Sequence, residues 1–243
     1  MKPFKFKQFT VNQNTCAMKI GTDGVLLGAW ASIENNPFSI LDIGAGTGII
    51  SLMLAQRCNA ELIDAIEIDD SAYEECVENF EQSPWGDRLF CYHASLEEFV
   101  DEIDDKYDLI ISNPPFYSEN YKSANTKRDL ARFTDSLPFN HLLESVAQLL
   151  SEDGVFSVII PYKEVEVFQA LASKFNLFPN SILHVKGNPT SEIKRSLIEF
   201  SFHALPAGRQ ESDIKIEELI IETERHQYTQ GYINLTKDFY LKM

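Results

Sequence analysis

The sequence predicts an α/β fold with a mostly parallel sheet, helices on both faces and an antiparallel pair of strands at one edge. From about Pro37 onward, short runs rich in Ile, Val and Phe alternate with segments of helical apolar spacing. This alternation is typical of strand–helix units in a parallel sheet. After Asn176, two β-rich runs (177–185 and 195–202) flank a turn-rich segment, which indicates an antiparallel pair.

The predicted elements follow one another with short connections. Residues 1–36 form a basic extension that we expect to pack on the core, and its end (22–31) is predicted to be helical. Parallel strands are predicted at 39–43, 61–67, 88–92, 107–111 and 154–160. A helix is predicted from the apolar stripe Leu142, Leu143, Val146, Leu149 and Leu150. Pro138 near its start and Gly154 after its end read as its boundaries. After a loop near 206–208 come a short strand and a helix-like stretch, so residues 37–243 form the main domain.

Composition excludes several classes of protein. The chain has 243 residues and a net charge of −16, and no apolar run has the roughly 18 residues of a membrane span. The four cysteines form no C-x-x-C pair and the five histidines are scattered, so we expect reduced thiols and no metal site. No secretory signal is visible at the start. We therefore expect a cytoplasmic protein.

A glycine-rich loop follows the first strand of the main domain. The segment Asp42-Ile-Gly-Ala-Gly-Thr-Gly48 leads into an apolar helix, and glycines allow a ligand to approach the backbone closely. The helix start also offers unpaired N–H donors. The next strand ends at Glu67, whose carboxylate can accept both hydroxyls of a ribose. The loop therefore predicts a nucleotide-like cofactor, although its G-x-G-x-G spacing differs from the G-x-G-x-x-G of dinucleotide sites.

A second motif, Asn113-Pro114-Pro115-Phe116, ends the fourth strand. Prolines stiffen the backbone and leave carbonyl groups free to accept, so Asn113 Oδ1 and the Pro114 carbonyl could bind one amino group. Phe116 offers a flat face to a planar ring. Because the carboxyl ends of central parallel strands face one crevice, we expect this motif beside the glycine loop. The alternative interpretation is a strand-ending turn without chemistry.

The two motifs resemble those of known enzymes. The glycine loop is similar to motif I of the class I S-adenosylmethionine-dependent methyltransferases, with NAD as the alternative cofactor. The Asn-Pro-Pro-Phe motif resembles motif IV of enzymes that methylate adenine N6, guanine N2 or protein glutamine. The resemblance implies a Rossmann-like fold with a seven-stranded sheet and S-adenosylmethionine as cofactor. It also implies that Asn113 and Pro114 orient the amine and that Phe116 stacks on the base. The cofactor-binding residues that it implies are Asp42, Gly44, Gly46, Gly48, Glu67 and Asn113.

The sequence as a whole closely resembles the bacterial tRNA1(Val) adenine-37 N6-methyltransferases nearly end to end. The resembling segments include Phe9-Thr-Val11, residues 16–30 and Gln82-Ser-Pro-Trp85. This resemblance implies that Lys19, Thr22 and Asp23 close over the methionine end of the cofactor. Helix capping is the alternative for Thr22 and Asp23. Such enzymes often have Asp after the third strand to accept from the cofactor's adenine. Ser95 stands here and is expected to accept less strongly.

A tRNA partner requires local basic surface on an acidic chain. The candidate phosphate contacts lie in the N-terminal extension and after the second motif: Lys5, Lys7, Lys122, Lys127, Arg128 and Arg132. A solvated charge run is the alternative interpretation. Two other functions stay open at this point, a methyltransferase acting on rRNA guanine N2 or protein glutamine, and a non-catalytic binder of the same fold.

Overall fold

A computed structural model describes residues 2–115, 138–202 and 214–243. The N-terminal extension contains strands β1 (Phe4–Lys5) and β2 (Thr10–Val11) and helix α1 (Thr22–Trp30). The strands of the main sheet are β3 (Ser39–Ile43), β4 (Leu62–Glu67), β5 (Leu89–His93), β6 (Tyr107–Ser112), β7 (Leu150–Pro161), β8 (Phe178–Lys186), β9 (Ile193–Ser201) and β10 (Lys215–Ile220). The remaining helices are α2 (Ile49–Arg57), α3 (Asp70–Glu81), α4 (Leu96–Glu102), α5 (Phe139–Leu149), α6 (Val165–Ala172) and α7 (Gln230–Thr236). A small hairpin pairs β11 (Glu222–Glu224) with β12 (Gln227–Tyr228).

The main sheet has the order β10–β8–β9–β7–β6–β3–β4–β5. Strands β3 to β7 are parallel, and β9 runs antiparallel to both β7 and β8. Side chains of successive strand residues point to opposite faces, so Ile40 and Leu109 pack on one side of the sheet while Leu41 and Ile110 pack on the other. Buried residues of α1 to α3 complete the first layer and those of α4 to α6 complete the second. The predicted α/β architecture is confirmed.

The sheet is one strand wider than the expected seven. Strand β10 pairs in parallel with β8, from Lys215 opposite Ser181 to Ile220 opposite Lys186, so β8 and β9 do not form the edge. Four of the six β10 side chains are exposed. The sequence of the strand, Lys-Ile-Glu-Glu-Leu-Ile, lacks the strict alternation of apolar and polar residues that predicts a strand within a sheet.

The boundary between α5 and β7 also differs from the prediction. The helix ends at Leu149, and Leu150 and Gly154 both lie in β7, so the reading of Gly154 as a helix stop is wrong. A Cβ on Gly154 would lie 2.7 Å from Leu150 Cδ1. Close packing within an irregular part of the strand, rather than helix termination, therefore explains this glycine.

The N-terminal extension packs against the core and the end of the chain. Phe6 and Phe9 are buried, their ring centroids lie 4.7 Å apart, and Phe6 also stacks on Tyr240. Lys7 donates its backbone N–H to Phe239 O. In the part of the chain that the structure describes, no helix has the length and apolar character needed to cross a membrane.

Candidate active site

The loop between β3 and α2 carries three glycines with positive φ, at +73° for Gly44, +57° for Gly46 and +75° for Gly48. Residues with a Cβ rarely adopt this conformation. Gly48 packs closely, because a Cβ there would lie 2.5 Å from Phe80 Cε1. A Cβ on Gly44 would meet no atom within 4 Å. The first part of the loop therefore leaves its backbone open, and the last part packs against α3.

The carboxyl ends of β3 and β6 lie side by side and are connected by a side-chain hydrogen bond. Ile43 and Ser112 are partners in the parallel register, and Ser112 Oγ donates a 2.9 Å hydrogen bond to Ile43 O. Gly44 follows the first residue and Asn113 follows the second. The glycine loop and the Asn-Pro-Pro motif are therefore neighbours, as the topology of a doubly wound sheet predicts.

Both motifs open into one cavity of about 680 Å³. Six of the predicted catalytic and cofactor-binding residues line it, namely Gly44, Gly46, Glu67, Ser95, Asn113 and Pro114. The cavity is large enough for a small-molecule ligand and contains both polar and apolar walls.

Glu67 fixes the shape of this cavity. Its Oε2 accepts from Gly46 N at 2.7 Å, and its Oε1 accepts from the backbone N–H groups of Ile68 and Asp69 at 2.9 Å. A carboxylate has about four lone-pair sites, so these three bonds leave Glu67 capacity for a ligand hydroxyl. Its position at the end of β4 agrees with the role that the resemblance implies.

Ser95 lies at the cavity wall as the N-cap of α4. It forms a capping box with Glu98, in which Ser95 Oγ donates to Glu98 Oε2 at 2.8 Å and accepts from Glu98 N at 3.2 Å. One lone pair of the hydroxyl oxygen stays available to a ligand. Ser95 is thus a weaker acceptor than a carboxylate at the same position.

Asp42 lies beneath the glycine loop and does not line the cavity. It is fully buried, and its Oδ2 accepts from Ser51 Oγ at 2.7 Å and from Ser51 N at 3.2 Å. Burial raises the pKa of Asp42 to about 7, although the bonds from Ser51 act in the opposite direction. Asp42 therefore ties the end of β3 to α2.

Four other predicted cofactor residues lie outside the cavity lining: Lys19, Thr22, Asp23 and Gly48. Lys19 donates from Nζ to Cys16 O at 2.6 Å and to Gln13 O at 2.7 Å. Thr22 and Asp23 occupy the first turn of α1, whose N-cap is Gly21 without a side-chain cap. The capping alternative for these two residues is therefore wrong, and Asp23 instead accepts from Arg195 Nε at 2.8 Å.

The predicted RNA contacts divide into two groups. Lys5 and Lys7 are exposed on the N-terminal extension, and Lys7 Nζ also donates to Lys237 O at 2.5 Å and to Met243 O at 3.3 Å. The others lie outside the described residues, as does the predicted stacking residue: Lys122, Lys127, Arg128, Arg132 and Phe116.

Sequence reasoning missed one wall of the cavity. Helix α5 presents His141, Glu144, Ser145 and Gln148 to it, with the spacing of a single helical face. The apolar stripe of this helix indicates that a polar face exists. Only the placement of α5 in the folded chain shows that this face borders the space beside Asn113.

The sequence is similar to those of known methyltransferases. The family model for the methyltransferase small domain matches residues 25–178. A protein from Flavobacterium johnsoniae named tRNA1(Val) (adenine(37)-N6)-methyltransferase is 62% identical over 240 residues, which cover 99% of this chain and 100% of that protein. A protein of the same name from Bacteroides fragilis is 44% identical over 241 residues, covering 99% and 98% of the two chains.

Solved structures support the fold alone. A predicted O-methyltransferase from Agrobacterium tumefaciens matches with a TM-score of 0.65 and 18% identity, over 89% of this chain and 96% of that one. TYW2 from P. horikoshii, solved in complex with MeSAdo, matches with a TM-score of 0.56 and 13% identity, over 82% and 69% of the chains. The chain belongs to the methyltransferase small domain family and, by its full-length identity, to the bacterial tRNA1(Val) (adenine(37)-N6)-methyltransferases.

Proposed function

We propose that this protein transfers a methyl group from S-adenosylmethionine to N6 of adenine 37 in the anticodon loop of tRNA(Val). The observation that carries the proposal is that Gly46 and Asn113 line the same cavity. The names of relatives with 44–62% identity over nearly the whole chain support the choice of base and tRNA. A tRNA substrate implies that the protein acts in the cytoplasm.

The cavity suits S-adenosylmethionine on its cofactor side. The backbone of Gly44 and Gly46 lies open at the wall, where a side chain would occupy the ligand's space. Glu67 and Ser95 line this side of the cavity, and we expect Glu67 to accept from a ribose hydroxyl and Ser95 to accept from the adenine amino group. When bound, the cofactor supplies an electrophilic methyl group on its sulfonium.

On the substrate side, the chain supplies acceptors rather than a strong base. Asn113 Oδ1 and the Pro114 carbonyl accept the two N–H hydrogens of the adenine amino group and thereby direct its lone pair into the cavity. The same acceptors stabilise positive charge as it develops on nitrogen. Such a site needs no thiol or imidazole nucleophile.

The target base must leave its stack to reach these acceptors. The α5 wall continues the cavity beyond Asn113 and offers polar groups such as His141 and Gln148 to an incoming nucleotide. We expect this wall to contact the displaced adenosine, and the basic extension containing Lys5 to contact phosphates.

Mass spectrometry of tRNA nucleosides tests the proposal. We expect N6-methyladenosine at position 37 of tRNA(Val) in cells that contain the protein and adenosine at that position in cells that lack it. In vitro, unmodified tRNA(Val) should accept label from S-adenosylmethionine, whereas the same tRNA with guanine at position 37 should not. Label in rRNA guanine or protein glutamine instead would contradict the proposal.

A further inference from the structure

Residues 12–20 form part of the cavity wall, and we call this segment the N-terminal strap. Cys16, Ala17 and Met18 line the cavity, and Cys16 Sγ lies 3.9 Å from where a Cβ on Gly46 would stand. The strap contains neither helix nor strand. Its position therefore depends on contacts with the rest of the protein.

Glu75 of α3 provides the main contact. Only 4% of this residue is exposed. Asn14 N and Thr15 N donate to its Oε1, the second at 3.2 Å, and Cys16 N donates to its Oε2 at 2.8 Å. One carboxylate thus holds three consecutive backbone N–H groups of the strap.

The charge on Glu75 is retained despite its burial. Burial by itself would raise the pKa of this carboxyl, but the hydrogen bonds from Cys16, Asn14 and Thr15 hold the pKa below its ordinary value. The carboxylate is therefore ionised at neutral pH. Hydrogen bonds to an ionised acceptor are roughly twice as strong as neutral ones.

Asn79 makes a second connection one helical turn after Glu75. Its Oδ1 accepts from Asn12 N at 2.7 Å, and its Nδ2 donates to Asn12 O at 3.0 Å and to Thr47 O at 2.9 Å. Thr47 belongs to the glycine loop. Asn79, which is fully buried, therefore joins the strap to the loop.

The strap is also closed on itself. Lys19 Nζ donates to three strap carbonyls, Gln13 O, Asn14 O and Cys16 O. Gln13 Oε1 also accepts from Ile20 N at 3.0 Å. These bonds bend residues 13–20 into a compact turn whose outer backbone N–H groups face Glu75. Lys19 thus stabilises the turn by hydrogen bonds within the strap, whereas Glu75 attaches the strap to α3.

We propose that Glu75 is a positioning residue for cofactor binding, which holds the strap in place as the wall against which S-adenosylmethionine packs. Glu75 does not line the cavity and acts through the backbone of residues 14–16. A strap ordered in advance lowers the entropy lost on binding. The inference rests on the proposed function, because it requires the cofactor to bind beside Gly46.

The test compares Glu75→Gln with Glu74→Gln. The first substitution keeps the size of the side chain but replaces one acceptor oxygen by an NH₂ group that faces a backbone donor. Glu74 is an exposed neighbour on the same helix, so its variant loses the same charge without touching the strap. We expect Glu75→Gln to raise the calorimetric Kd for S-adenosylmethionine by about tenfold, because charge-assisted bonds are lost.

Two further readouts separate positioning from general stability. The KM for S-adenosylmethionine should rise in Glu75→Gln while kcat at saturating cofactor stays at the wild-type value. The amides of residues 14–16 should exchange hydrogen faster, with unchanged protection in β3 and β6. Glu74→Gln should match the wild type in all of these measurements.

Several outcomes would overturn the inference. One is an unchanged Kd in Glu75→Gln, even if the thermal stability of that variant falls. If the variant does not fold, hydrogen exchange of the wild type decides, because saturating S-adenosylmethionine should further protect residues 14–16 and unchanged exchange would contradict the inference. A wild-type protein that binds no S-adenosylmethionine would instead overturn the proposed function, and this inference with it.

Discussion

Ser112 Oγ donates a 2.9 Å hydrogen bond to Ile43 O, and this bond joins the ends of the two strands that carry the site. Both residues are buried. The next residues along the chain are Asn113 and Gly44, which both line the cavity. The spacing between the amine site and the cofactor loop is therefore set by a contact inside the core rather than by the exposed parts of the loops.

Ser112→Ala tests the importance of this contact. The variant removes the donor to Ile43 O, and we expect the free energy of unfolding to fall by about 1–3 kcal/mol. We also expect weaker binding of S-adenosylmethionine, because the glycine loop begins at the residue after Ile43. Urea denaturation and calorimetry measure the two effects. Stability and affinity equal to those of the wild type would show that the contact is dispensable.

Gly44→Ala should mainly impair cofactor binding, whereas Gly48→Ala should mainly impair stability. At Gly48 the left-handed conformation costs about 1–2 kcal/mol and the close contact with Phe80 a further 1–3 kcal/mol, so this variant should lose mainly stability. At Gly44 only the first cost applies, but the added methyl group lies at the cavity wall. Gly44→Ala should therefore lose mainly cofactor affinity. Equal losses of stability in both variants would contradict this assignment.

Asp42 should make stability depend on pH. In the folded protein burial raises the pKa of Asp42 to about 7, whereas the ordinary value is 3.8. The folded state therefore holds the proton more tightly, and the contribution of Asp42 is fully present below about pH 3.8 and lost as pH rises to about 7.

Comparison with Asp42→Asn isolates this effect from other titrating groups. We expect the free energy of unfolding of the wild type, minus that of Asp42→Asn, to fall steadily between about pH 4 and pH 7 and then to level off. Denaturant titrations across this range measure it. Parallel pH profiles would show that Asp42 titrates normally.

Comparison of Lys5→Ala with Lys7→Ala tests which of these two lysines contacts tRNA. Lys7 Nζ is held by Lys237 O and Met243 O, so Lys7→Ala should loosen the junction with the chain end and lower the melting temperature. Lys5→Ala should instead weaken tRNA binding and reduce the salt slope of log Kd by about one. Filter binding over a salt series checks this. The opposite pattern would place Lys7 at the RNA.

The parts of the site that follow from strand order were predictable from the sequence. The neighbourhood of Gly46 and Asn113 required only two motifs at the ends of central parallel strands. The role of Glu75 was not predictable, because its partners, Asn14, Thr15 and Cys16, lie about 60 residues earlier in the chain and bind through backbone groups. A helix with exposed Glu74 and Glu78 gives no sign that Glu75 between them is buried.

The contacts of Lys19 and of strand β10 were likewise not predictable from the sequence. Lys19 stands in a motif that the resemblance assigns to the cofactor, yet its ammonium binds carbonyls of its own segment. Half of the β10 residues are charged and four of the six are exposed, so the pairing of this strand with β8 depends on the completed sheet. In both cases the decisive partner is a backbone group, and backbone groups carry no sequence signal.

The most direct test of the proposed chemistry is the single-turnover rate of methyl transfer to unmodified tRNA(Val) by Asn113→Ala at saturating S-adenosylmethionine. Loss of the Asn113 acceptor should lower this rate by about 10²-fold or more, as for other preorganised polar groups that stabilise developing charge. Ser145→Ala, on the α5 wall of the same cavity, serves as the control and should stay much closer to the wild type. A near wild-type rate in Asn113→Ala would contradict the assignment of this site.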